Sequence, residues 1–125
     1  MIEEYFQTIL EQLAELPFVQ SSDLNLDRRS ETVGFVRGDI YFADDSRLHV
    51  RELVDTRATG RLKYIYHYQR ADESIVFRYD NAPHFPELEN FPHHKHENQE
   101  ENVISAKAPT LADVLKEIES LVTIE

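Results

Sequence analysis

The sequence predicts an α+β domain: an antiparallel β-meander of about four to six strands, with an N-terminal and a C-terminal helix packed on one face. Three observations predict it. Both ends of the 125-residue chain carry apolar side chains at three- and four-residue steps. The middle alternates with period two and is cut by short polar turns. Two helices with one apolar stripe each need an apolar surface to cover, and a meander with one apolar face supplies it. The length fits a single domain spanning 1–125, and no repeat or linker divides it.

The first helix is expected from residue 2 to about 16. Ile2, Phe6, Ile9, Leu10, Leu13 and Leu16 form its stripe, Glu3 and Glu4 suit its positive N-terminus, and Pro17 stops it. Residues 18 to 27 suit an edge strand. Thr32 to Phe42 reads as the next strand, with Gly34 and Gly38 marking bulges or close approaches. The turn residues Ala43-Asp44-Asp45-Ser46 lead into a returning strand from Arg47 to Val54. Asp55 to Gly60 is a connection, Arg61 to Arg70 another strand, Ala71-Asp72-Glu73-Ser74 a turn, and Ser74 to Asp80 the last strand of the run. Near the C-terminus, Thr110 caps a helix with Asp113 three residues on. Leu111, Val114, Leu115, Ile118, Leu121 and Val122 make its buried face.

Composition excludes several classes. The chain has no cysteine, hence neither a disulfide framework nor a thiolate site. No apolar run approaches the roughly 18 residues that span a bilayer, and the acidic start lacks the basic region of a signal peptide. A soluble, cytoplasmic protein with no membrane association is expected. The net charge is −11, but it is unevenly spread. From Arg28 to Arg78 ten basic residues face eight acidic ones, a local +2, which leaves −13 on the rest. The acidic flanks suit a basic protein partner, and the central segment can offer a basic face.

Residues 79 to 96 hold four of the six histidines (His84, His93, His94, His96) and three of the five prolines (Pro83, Pro86, Pro92). Proline fixes φ and removes an N–H, so this segment is expected to be a stiff, ordered loop rather than helix or central strand. The polar run His96 to Asn102 is expected to be the most mobile part of the chain. Stiff loops on rigid scaffolds commonly carry functional groups.

Several chemistries are open to this region. Tyr64, Tyr66 and Tyr68 share one strand face and could stack bases, assisted by Arg78, or could fill a half-buried sheet face. His93, His94 and His96 suggest a metal, with further ligands from His84, Asp80 or a glutamate. Cysteine is missing, however, and the spacing matches no standard zinc module, so no metal or other cofactor is expected. The same histidines can act as acid and base in RNA cleavage through a 2′-hydroxyl. Arg78 and Lys95 would then hold the phosphate, and Tyr79 and Asp80 would orient an imidazole. Along an extended segment His94 and His96 fall on one side and His93 on the other. One of these sets should face Arg78 and Asp80. Neither a P-loop, a GxGxxG, a His-Glu-Xaa-Xaa-His nor a serine-nucleophile elbow is present.

The blocks Phe77-Arg78-Tyr79-Asp80-Asn81-Ala82-Pro83-His84 and Phe91-Pro92-His93-His94-Lys95-His96 are long and unusual. Together with Tyr64-Ile65-Tyr66-His67-Tyr68, the hairpin from Phe42 to Leu48, and Pro109-Thr110-Leu111-Ala112-Asp113, the chain resembles the TumE family of bacterial toxin–antitoxin toxins over residues 30 to 120. The resemblance implies a toxin encoded beside a small antitoxin, often a helix-turn-helix DNA-binding protein, and interference with translation through RNA cleavage. The family commonly has a second histidine directly after the one matching His84; here that residue is Phe85. The alternatives are a non-catalytic protein-binding module using the same histidine-loop surface, and a metal-binding regulatory domain.

Overall fold

The structure, a computed structural model, describes residues 1–58 and 61–122. Its elements run α1 (Ile2–Ala14), β1 (Val19–Arg28), β2 (Val33–Phe42), β3 (Arg47–Asp55), β4 (Arg61–Gln69), β5 (Ile75–Asp80), β6 (His94–Glu97), β7 (Val103–Ser105) and α2 (Leu111–Glu119). Among the described residues the strands form one antiparallel sheet in sequence order, each paired with the next. The α+β class and the meander agree with the sequence reading. The strand number does not: there are seven strands, where four to six were expected.

The strands beyond the five read in order are β6, from the stretch read as a loop, and β7, just after it. The prolines do bar regular pairing as far as Pro92, but nothing after it does. His94 to Glu97 alternate inward and outward and pair with β5 on one side and β7 on the other, so β6 lies inside the sheet. His96 and Glu97 therefore belong to a strand, and the segment expected to be most mobile shrinks to the turn before β7. The connection expected at 55 to 60 ends in Thr59 and Gly60, which lie outside the described residues.

Register defines two faces. Val36, Ile40, Leu48, Val50, Val54, Tyr64, Tyr66, Tyr68 and Phe77 are buried on one, together with Ile2, Phe6, Ile9 and Leu13 of α1 and Leu111, Val114, Leu115 and Ile118 of α2. Both helices bond to this face: Tyr5 of α1 donates to Glu52 on β3 at 2.5 Å, and Glu117 of α2 accepts from Tyr79 on β5 at 2.7 Å. Gly34 is a close approach rather than a bulge, since a Cβ there would lie 2.7 Å from Phe6 and 2.8 Å from Ile2. Gly38 has φ +150°, and its Cβ would strike the Asp23 backbone. Thr110 and Asp113 exchange backbone and side-chain bonds at 2.9 and 3.1 Å, the expected capping box of α2. No helix among the described residues is long and apolar enough to cross a membrane.

Candidate active site on the helix-free face

The opposite face carries no helix. The register places Asp80 beside His94 and Arg78 beside His96, so period-two alternation puts all four side chains on this face. Asp80, His94 and His96 are buried, at 5%, 2% and 5% exposure. Arg78 is partly open at 27%.

The carboxylate organises the cluster. Asp80 Oδ1 accepts the Ala82 N–H at 3.0 Å and lies 3.0 Å from His94 Nε2. Its Oδ2 accepts from Arg78 Nε at 3.2 Å and lies 3.7 Å from His96 Nε2. The guanidinium also reaches His96 Nε2 at 3.0 Å and Glu100 at 2.9 Å. On the far side of each ring, His94 Nδ1 is 3.0 Å from the Pro92 carbonyl and His96 Nδ1 is 2.8 Å from the Glu100 carbonyl. A carbonyl only accepts, so both Nδ1 atoms carry hydrogen and donate. In a neutral ring Nε2 is then an acceptor. At His96 this suits the Arg78 N–H. At His94 it sets two acceptors against each other, Nε2 and the Asp80 carboxylate. Filling that contact takes a proton shared by the two groups or a cation between them.

Phe85 roofs the cluster, its ring edge-on to His94 at 4.9 Å and to His96 at 6.1 Å between centroids. The loop that carries it is anchored through Asn81, which accepts from the Tyr64 N–H and donates to the Leu62 carbonyl, each at 3.1 Å. Ser105 on β7 also donates to the Glu89 carbonyl at 2.6 Å.

The other expected site residues lie elsewhere. Tyr79 and Lys95 point to the helix-covered face, where Lys95 bonds Glu117 at 2.9 Å. Burial and the Glu117 carboxylate push the Tyr79 hydroxyl up to about 12. Burial alone would lower the Lys95 ammonium, but the Glu117 bond and Tyr79 outweigh it and raise it. His93 stacks on Tyr64, with Nδ1 2.8 Å from the tyrosine oxygen. Burial, then the Arg61 charge, lowers its basicity. His84 is exposed in the loop, its ring 6.4 Å from Phe85.

Tyr64, Tyr66 and Tyr68 need correction as a base-stacking ladder. They are 2%, 0% and 2% exposed beneath the helices, and their hydroxyls bond His93, Glu52 and Ser46. They fall in phase with Leu48 and Val50 across β3, which makes them core. Two further residues matter that the sequence reading left unassigned: Phe85 as roof and Glu100 as second partner of Arg78. Nothing local marked Glu100.

Asp80, His94 and His96 each offer a ligand atom, all within 4.8 Å of one another, and are the residues that could hold a metal. The gaps of 3.0 and 3.7 Å bracket the roughly 3.0–3.4 Å between neighbouring ligands of an ion bound at about 2.1 Å. Carbonyl-bound Nδ1 atoms are also usual behind ligating imidazoles. Arg78, however, already occupies His96 Nε2.

A family model described as Toxin TumE matches residues 7–122, from within α1 through α2. The chain belongs to the TumE family. The TumE match takes in every residue of the cluster, the larger part of α1 and all of α2. Within the matched span the Phe85 ring lies against His94. Neither a curated protein nor a solved structure matches the chain.

Proposed function

We propose that this chain is the toxin of a bacterial toxin–antitoxin pair and that it inhibits translation by cleaving RNA at the Arg78–Asp80–His94–His96 cluster. The observation that carries the reading is the convergence of two imidazoles, a carboxylate and a guanidinium on the face the helices leave bare. RNA cleavage through the 2′-hydroxyl needs proton transfer and a cation for the phosphate. Arg78, the most open member, binds the phosphate, and its planar fork suits two phosphate oxygens. His96 Nε2, freed as the guanidinium turns from it to the phosphate, takes the 2′-hydroxyl proton as the 2′-oxygen bonds to phosphorus, and the departing 5′-oxygen is protonated from solvent. Asp80 and His94 hold the pair in place from beneath, and Phe85 is the side chain that must swing aside to admit a substrate. The antitoxin is a basic protein of helix-turn-helix type, drawn to the −13 borne outside the central segment.

The test is cleavage of RNA by the purified chain in the presence of EDTA. His96→Ala and Arg78→Lys should lower cleavage about 10²-fold, with loss of toxicity, while His93→Ala leaves both. A wild-type chain that is toxic without cleaving RNA would return the site to the non-catalytic, protein-binding alternative.

One observation favours a second reading. The two acceptors at His94 and Asp80 are satisfied equally well by a divalent ion replacing the proton. Zinc titration of the purified protein checks it: stoichiometric binding lost in Asp80→Ala supports this reading, and heat of binding unchanged by that substitution removes it.

A further inference from the structure

Away from the cluster, the helix-free face holds an arrangement that costs the fold energy. Arg37 on β2 stands directly opposite Arg51 on β3, with Leu53 and Lys63 paired beside them on β3 and β4. Like charges directly opposite across strands repel. Among the described residues no carboxylate pairs with Arg37, Arg51 or Lys63, although the chain has 24 acidic residues from which a partner could have been drawn. The three cations line a groove of about 410 Å³ with Arg29 and Phe35. Asp27, also on its rim, is already engaged by Arg29 at 3.0 Å. Phe35 is 38% exposed, with the Arg29 guanidinium 4.8 Å above its ring.

We propose that this groove binds single-stranded RNA, with Arg37, Arg51 and Lys63 on the phosphate backbone and Phe35 stacking a base. This rests on the RNA-cleaving reading and supplies it with a substrate track. An uncompensated cation pair is relieved by an anionic ligand, and an exposed aromatic beside it fits a stacked base better than an acidic peptide. Position agrees as well. Arg37, Arg51, Ile65, Asp80 and His94 form one continuous row across the sheet. Arg51 and Asp80 are two strand spacings apart, about 10 Å. A strand of RNA lying along that row reaches from the groove to Arg78 and His96.

The experiment uses the full chain and a fluorescent 2′-O-methyl oligoribonucleotide, which lacks the free 2′-hydroxyl needed for cleavage. Anisotropy should show binding that weakens with salt. Arg37→Gln/Arg51→Gln should weaken it about tenfold and flatten its logarithmic salt dependence by about 1.4, at ~0.7 per phosphate. Phe35→Ala should weaken binding about fivefold or more. The unfolding midpoint of the double variant should hold or rise, because a repulsion is removed. Cleavage of a dinucleotide, too short to reach the groove, should be unchanged in the double variant. The proposal is overturned if the wild type does not bind the oligonucleotide, if the double variant binds it equally well, or if polyglutamate displaces it at lower concentration. Dinucleotide cleavage reports on the cluster alone, so failure of the groove and failure of the catalytic reading are separately visible.

Discussion

Among the described residues each face of the sheet buries one carboxylate, and the two are satisfied by opposite means. Glu52, 2% exposed under α1, accepts from the hydroxyls of Tyr5 and Tyr66. Both donors are neutral. Burial, then the Glu52 charge, raises both tyrosines far above their ordinary range, so neither exchanges a proton near neutral pH. Asp80, on the bare face, is met instead by a guanidinium and two imidazoles, groups that carry charge or can take it up. The first arrangement anchors a helix. The second places proton carriers beside a partly open cation, which is why the chemistry is assigned to it.

The largest effect should come from removing the second carboxylate. Asp80→Ala leaves His94 buried without its partner and Arg78 held only by Glu100 and His96, and should cost about 3 kcal/mol in urea unfolding, with loss of toxicity. A loss below about 1 kcal/mol would mean that Asp80 does not organise the face. Next, His96→Ala should lower the rate of RNA cleavage about 10²-fold. Equal losses from His93→Ala would erase the distinction between His96 and the ring stacked on Tyr64.

On the other face Tyr66→Phe should cost about 1–3 kcal/mol, because Glu52 keeps a single donor. Toxicity of the folded variant should remain; a stable but inactive Tyr66→Phe would move the chemistry to the wrong side of the sheet. The smallest effect is on pH dependence. Burial lowers the basicity of His67, with Arg78 adding to it, and of His93, with Arg61 adding to it. The unfolded chain therefore takes up protons first as pH falls below the ordinary value of 6.5, and stability should fall with pH from there until the folded rings also titrate. A His67→Gln/His93→Gln variant should flatten that slope in urea midpoints, and an unchanged slope would assign it to other groups.

Much of this contrast was legible in the sequence. Alternation alone put Arg78 with Asp80 and His94 with His96, because side-chain direction along an extended chain is fixed by period two. Pairing could not be read the same way. A strand written His-Lys-His-Glu has no apolar alternation, so β6 looked like solvated loop until β5 and β7 supplied its partners. The tyrosine run misled for the converse reason. Its phenol groups suggested an open surface, whereas register with Leu48 and Val50 and the hydroxyl acceptors Glu52 and Ser46 make it core. The roof over the cluster depends on how residues 81–93 fold back, which no local pattern encodes.

The most direct test is single-turnover cleavage of RNA by the purified chain, comparing wild type, Arg78→Lys and Tyr66→Phe. Cleavage by the wild type, a drop of about 10²-fold in Arg78→Lys, and near wild-type rates in folded Tyr66→Phe would place the chemistry on the bare face. Wild-type rates in Arg78→Lys, or no cleavage by any of the three, would contradict it.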